Sequence, residues 1–354
     1  MTDYNYLNAR IKSLKRDLLS KGKLDELLRL TELEEIKRFF LETPYAAAVG
    51  ETLAQHPDLH GLERGVSRHI QRTFQEILGW SGACPGGTSP QAREAPRRLI
   101  DILLRRYDLH NVKSLLRGKN GKLSSEAICD TLIPVGTFSF EELTELSKQP
   151  SLRETLFLLA NWHHPLKPVL RRHVGSIKEE PVDLRGLETG LDHYYYKGIL
   201  DSLSEEKGED ASLVKRVIQM EIDAINTLVL LRLRDLPKGE LSKTILNGGM
   251  LGKGFLLSIA NVRPAEWAQK FESTYLAKAL RGWNGEALTQ LERNFELLLF
   301  HEARRMERED PLSIGVAISY FALLSNELKN IRTILQGKFF SLNKEKLKEE
   351  LLLV

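Results

Sequence analysis

Cysteine is almost missing from this chain. Cys84 and Cys129 are the only two in 354 residues, too few for a disulfide framework, and they fit a reducing compartment as plain core or loop thiols. An excess of one charge is missing as well. Lys and Arg total 51 against 48 Asp and Glu, a net of +3, and the two signs interleave along the chain, so no large positive field for nucleic acid is implied. No apolar run reaches the length of about 20 residues that a bilayer core requires. The longest apolar-rich uncharged stretch, Pro311 to Asn326, includes Ser, Gly, Tyr and Asn and reads as a buried helix. The N-terminal MTDYNYLNAR has an acid at position 3 and no apolar run, which excludes a signal peptide. Any membrane association is therefore expected to be peripheral.

Strand patterning is also missing: alternating apolar and polar runs bounded by turns do not occur, and β-branched residues sit inside 3.6-residue patterns. The fold class is therefore all-α. With 42% hydrophobic and 28% charged residues, the chain can bury one large core or a few smaller ones.

Catalytic constellations are equally scarce. His301-Glu302-Ala303-Arg304-Arg305 opens like a zinc-protease motif but has Arg305 where the second histidine belongs. Asn247 to Gly254 resembles a phosphate loop, yet its first glycine position is Asn247 and Gly254 follows Lys253 where Ser or Thr is required, so a helix break is the reading there. His163 and His164 are adjacent, point about 100° apart on a helix, and have no ligand-spaced Cys or carboxylate beside them. Tyr194 to Tyr196 with Lys197 have the chemistry to stack bases, but without a basic face they read as core or interface. No serine has a GxSxG setting, and neither cysteine has a CxxC partner. No catalytic, cofactor-binding or metal-binding residue is assigned. The scarcity favours a binding or mechanical role over catalysis.

What the chain does have is repetition. Asp108 to Gly118, DLHNVKSLLRG, has an acid-x-x-Asn core that returns as Asp223-Ala224-Ile225-Asn226 and as Glu327-Leu328-Lys329-Asn330, each followed by a leucine-rich run. Counted from the Asn, apolar residues fall at +12, +17 and +21 in the first copy (Leu123, Ile128, Leu132) and in the third (Leu342, Leu347, Leu351). The middle copy matches after a two-residue deletion, with Leu236, Leu241 and Ile245. Ser139 to Leu143 echoes Lys23 to Leu27, pairing Phe140 with Leu24, and Phe271 to Tyr275 echoes Phe40 to Tyr45. Such spacing marks internal repeats. Three pseudo-symmetric helical repeats are predicted, approximately 1–135, 136–250 and 251–354. The repeated Asn, on one helix face with its acid, is read as a packing residue whose amide bonds to the next helix or to the chain where the helix turns. It is not read as a ligand or catalytic group.

Taken in order, Leu7, Ile11, Leu14 and Leu18 predict one face of a first helix, and Lys23 to Leu30 a short second one. Thr31-Glu32-Leu33-Glu34 predicts a capping box for a third that ends before Pro44. Leu62, Val66, Ile70 and Ile77 predict a long helix, and Ser81 to Pro96, rich in Gly and Pro, a surface loop. The first Asn-bearing helix is predicted from about Arg97 to Leu116, preceded by Pro96 and stopped by Gly118 and the Gly121 turn. Pro165 to Asp183 reads as irregular, Leu187 to Leu203 as helix, and Glu205 to Asp210 as a turn.

Four stretches, YNYLNARIKSLKRDLL, ETPY from Glu42, RRYDLHNVKSLLRGK from Arg105 and AISYFALLSNELKNIRTILQGK from Ala317, resemble the C subunit of V-type/A-type ATP synthases, whose vacuolar ATPase counterpart is the d subunit. The resemblance runs from the first helix to the last. Two places depart from it: the 81–96 stretch looks like an insertion, and Leu233 stands where the other copies have Gly118 and Gly337. The resemblance implies a funnel-shaped single domain on the cytoplasmic face of the membrane. It would be a non-catalytic central-stalk adaptor that couples the proteolipid ring to the D and F subunits of the central shaft, with the membrane stator as a further neighbour. It implies no cofactor, no nucleic acid and no small-molecule substrate. The competing readings are a soluble helical repeat scaffold or nucleic-acid-associated protein unrelated to rotary motors and, more weakly, an all-helical enzyme around His163, His164 and His301.

Overall fold

The computed structural model describes residues 4–82, 90–176 and 182–353, with the side chains of 90–93 left aside. Among the described residues every regular element is helical and none is a strand, so the fold is all-α. The chain divides into two compact units, Met1–Leu184 with Tyr320–Val354, and Arg185–Ser319.

The first unit opens with the helix Asn5–Leu14, whose Leu7 and Ile11 are fully buried. It ends before Leu18, one turn short of the predicted face. Arg16 and Asp17 instead make tight bonds to Ser13 and Leu14, and the Leu19 N–H turns to the Glu327 carboxylate at 2.8 Å. The helix Leu33–Leu41 ends ahead of Pro44 as predicted, but its capping box starts one residue later than the motif suggested. Glu32 is the cap and Glu35 reaches back to it, because the Glu35 carboxylate accepts the N–H of both Thr31 and Glu32. Leu59–Ser81 carries Leu62, Val66, Ile70 and Ile77 on one fully buried face, each worth roughly 1.5–3 kcal/mol relative to exposure.

The single helix predicted over 97–116 is two, Pro90–Leu104 and Arg106–Asn120. Pro96 lies inside the first, so the predicted loop is helical from 90 to 96; residues 83–89, with Cys84, are outside the described part. The joint is a local tightening. Arg105 keeps helical dihedrals, while the Asp108 N–H bonds to the Arg105 carbonyl three residues back at 3.1 Å. The Pro165 to Asp183 stretch is not irregular throughout, since Lys167–His173 is helical with Pro168 in its first turn, where the missing N–H costs nothing. Residues 177–181 of that stretch are outside the described part.

The second unit contains the long helices Arg185–Glu205, Glu209–Leu233 and Leu288–Glu309. Gly208, at φ +113°, makes the predicted turn between the first two. Its core gathers Trp267, Phe271, Trp283, Leu291 and Phe295, with the two indoles 5.9 Å apart. The Pro311 to Asn326 stretch enters the helix Gly315–Phe339, and Ile314, Val316, Ala317 and Ser319 are fully buried. No helix of the described residues is long and apolar enough to cross a membrane.

Candidate functional site

The repeated asparagines make one interaction three times. Asn111 Nδ2 donates to the Ile133 carbonyl at 2.7 Å while its Oδ1 accepts the Ile133 N–H at 2.8 Å. Asn226 does the same with Leu246, at 3.0 and 2.8 Å, and Asn330 with Leu352, at 3.0 and 3.0 Å. A primary amide presents a donor and an acceptor side by side, so it can satisfy both polar groups of one extended residue as a neighbouring peptide would. All three asparagines are at most 1% exposed. Between each Asn and its partner lies one short helix of seven residues, Ser125–Thr131, Lys238–Thr244 or Lys344–Glu350, with Ile128, Leu241 or Leu347 buried beneath it.

Each acid three residues before the Asn clasps the chain as well. Asp108 accepts the Thr137 N–H at 2.9 Å and its hydroxyl at 2.7 Å. Asp223 accepts the N–H groups of Met250 and Leu251, and the Tyr275 hydroxyl at 2.9 Å. Glu327 accepts the Leu19 N–H and, at 2.5 Å, the Tyr45 hydroxyl. Burial pushes Asp108 and Asp223 up to about 6 and Glu327 up to about 7, against the opposing pull of these donors. Burial and the facing carboxylate raise Tyr45 and Tyr275 as well.

Glycines make room for these clasps. Gly136, at φ +103°, stands just before Thr137, and a Cβ on it would lie 2.5 Å from Asp108 Oδ1. Gly249, just before Met250, would place a Cβ 2.0 Å from Asp223 Oδ1. The phosphate-loop look-alike is thus a backbone wrapped onto the chain's own carboxylate. Gly118, expected to stop its helix, lies within it, and its counterpart Gly337 also lies inside a helix. A Cβ there would meet Ile128 Cγ1 at 2.5 Å and Leu347 Cδ2 at 2.1 Å. Both helices run on to residues with positive φ, Lys122 and Ser341, where the N–H groups of Leu123 and Leu342 bond back to the Gly118 and Gly337 carbonyls. The helix of the middle copy ends at Leu233, so the turn that would need the glycine is left out; this is where the two-residue deletion falls.

The remaining sequence candidates are placed as follows. His164 spends both ring nitrogens on its own chain, donating to the Leu159 carbonyl at 2.6 Å and accepting the Leu166 N–H at 3.2 Å, and burial lowers its pKa. His163 and His301 are exposed. Glu302 pairs with Arg305 at 2.5 Å and with Arg216 at 3.4 Å. Tyr195 and Tyr196 are buried edge to face, and Lys197 pairs with Asp201 at 3.1 Å. Cys129 is a free thiol 3.1 Å from Ser147 Oγ. Among the described residues one group with three possible metal ligands lies together, His60, Glu63 and Asp130. Sequence spacing could not reveal it, because Asp130 is remote in the chain and shares no ligand spacing with the other two.

Residues 7–350 match the family model described as ATP synthase (C/AC39) subunit. The C subunit of the A-type ATP synthase of Methanosarcina mazei is 26% identical over 100% of this chain and 94% of its own length. That of Methanococcoides burtonii is 27% identical over 99% and 95%. The C subunit of the V-type ATP synthase of Deinococcus radiodurans is 27% identical over 98% and 91%. With residues 7–350 matched, nearly the whole chain, this protein belongs to the ATP synthase (C/AC39) subunit family.

Proposed function

We propose that this chain is the non-catalytic central-stalk adaptor of a rotary V/A-type ATPase or ATP synthase. In this reading it is a funnel-shaped socket of three pseudo-symmetric helical repeats, approximately 1–135, 136–250 and 251–354. The socket sits peripherally on the cytoplasmic face of the membrane and joins the proteolipid ring to the D and F subunits of the central shaft, with the membrane stator as a further neighbour. It passes torque between ring and shaft and so supports ATP-coupled proton or sodium transport. The observation that carries the reading is the family match over residues 7–350.

The threefold clasp supports it. A torque-bearing adaptor has to be stiff; each Asn ties its long helix to the strap that follows it, and each acid ties the same helix to a further segment, the following strap for Asp108 and Asp223 and the N-terminal region for Glu327. The carboxylates are spent on the chain's own donors, which suits a structural part. The test is reconstitution of ATP-driven ion transport with and without this chain, together with co-purification with the ring and the shaft. Coupling should be lost in its absence and regained on its addition. Full coupling without it, or failure to assemble with either partner, overturns the reading.

A further inference from the structure

On the helix Leu59–Ser81, His60 and Glu63 are one turn apart on the same face, and Asp130 reaches them from the last turn of Ser125–Thr131. One ligand atom from each of the three lies within 4.8 Å of the others. Glu63 is 7% exposed and Asp130 8%, so two carboxylates are nine-tenths buried side by side. They share very few donors. The His60 ring nitrogen Nδ1 donates to Asp130 Oδ2 at 2.6 Å, Asp130 Oδ1 has no hydrogen-bond partner, and among the described residues the Glu63 carboxylate accepts no hydrogen bond.

Two guanidinium groups lie close, Arg64 as an ion pair with Asp130, but neither donates a hydrogen bond to the two carboxylates, and the Nε of each is itself without a hydrogen-bond partner. Arg332 Nη2 donates to Ser67 Oγ at 3.0 Å and to the Leu132 carbonyl at 2.9 Å. Arg64 Nη1 bonds to His56 Nε2 at 3.0 Å, and its Nε stays 3.6 Å from Asp130 Oδ1, beyond hydrogen-bond length. They offset charge without filling the carboxylate lone pairs. Buried carboxylates left this way call for a cation in contact.

We propose that His60, Glu63 and Asp130 form a binding site for one divalent transition-metal ion of the zinc class, with water as the fourth ligand. One imidazole and two carboxylates suit such an ion, which holds them at about 2.0–2.2 Å. Ligand atoms on a tetrahedral ion stand roughly 3.3 Å apart, so the widest pair closes by at most roughly 1.5 Å and the His60–Asp130 contact opens slightly. His60 is the member able to move, because its side chain is 43% exposed and opens the site to solvent. On binding, His60 coordinates through Nδ1 as the neutral imidazole, with its ring proton exchanged through solvent to Nε2. The two nearby guanidinium charges make the site weaker than a closed structural zinc site. The inference stands independently of the proposed function.

The test uses the full chain, stripped with a chelator, dialysed, and titrated with Zn²⁺ by calorimetry and with Co²⁺ by visible absorption. The expected result is one ion per chain, a cobalt spectrum of tetrahedral intensity, and a melting temperature raised by Zn²⁺. Because His60 is half exposed, His60→Gln should fold normally, lose at least about tenfold in affinity and lose the rise in melting temperature. Glu63→Gln should weaken binding likewise, and His301→Gln should leave it unchanged. Absence of binding by the wild-type chain, or wild-type affinity in His60→Gln, overturns the proposal; the buried pair would then be neutralised by a proton on Glu63.

Discussion

Asn330 and Leu352 are joined in both directions, amide to carbonyl at 3.0 Å and N–H to amide oxygen at 3.0 Å, so the end of the described chain is held by a residue deep in the helix Gly315–Phe339. The same pairing between Asn111 and Ile133 holds an internal segment.

Replacing Asn111 or Asn226 by Leu leaves a buried N–H and a buried carbonyl unpaired, each worth about 1–3 kcal/mol. Both variants should lose about 2–5 kcal/mol in denaturant unfolding. Asn330→Leu should cost a similar amount through the Leu352 N–H and carbonyl. Normal stability in all three variants would refute the packing role.

Gly118→Ala and Gly337→Ala insert a methyl group where Ile128 and Leu347 already stand. Overpacking of about 1–3 kcal/mol outweighs the gain in helix propensity of about 1 kcal/mol. Adding Ile128→Ala to Gly118→Ala should recover part of the specific loss in a double-mutant cycle of melting curves.

The clasp carboxylates set a pH dependence whose sign follows from their raised pKa values. Between the ordinary carboxylate range near 4 and about 6 for Asp108 and Asp223, or about 7 for Glu327, the folded chain binds more protons than the unfolded one. Stability therefore falls as pH rises through that window and is regained as pH falls. Asp108→Asn removes one such group. Relative to the wild-type chain it should look more favourable at pH 8 than at pH 5 when melting curves are compared.

Tyr45→Phe takes from Glu327 a 2.5 Å hydrogen bond and leaves Leu19 as its donor. A bond to a charged acceptor is worth about 1.5–3 kcal/mol. The loss should be greater at pH 8, where Glu327 is ionised, than at pH 5. Tyr275→Phe should behave alike through Asp223, over a window ending near 6. A loss independent of pH in both variants would rule out the hydroxyl–carboxylate account.

Much of the clasp is legible in the sequence. The acid-x-x-Asn core, the apolar positions after it and the two-residue deletion reappear as three long helices, three seven-residue helices and one helix cut short at Leu233. Register within the echoes is less legible. Ser20 and Ser139 cap their helices and place Leu24 with Leu143, one turn away from the pairing with Phe140 that similarity alone suggests. Glu141 and Glu142 mimic Asp25 and Glu26 at more than one offset, and only the cap hydrogen bonds choose between them.

By itself, the sequence determined the helical class, the repeated Asn and its spacing, because periodicity and local hydrogen-bonding chemistry are properties of neighbours in the chain. Tertiary structure alone decided what distant residues meet. It turned Gly118 from a helix stop into a contact point, made Gly337 another, gave Glu327 the Tyr45 hydroxyl, and gathered Asp130 with His60 and Glu63. Those encounters depend on how helices cross, and helix crossing is set by the packing of whole faces, which no short spacing encodes.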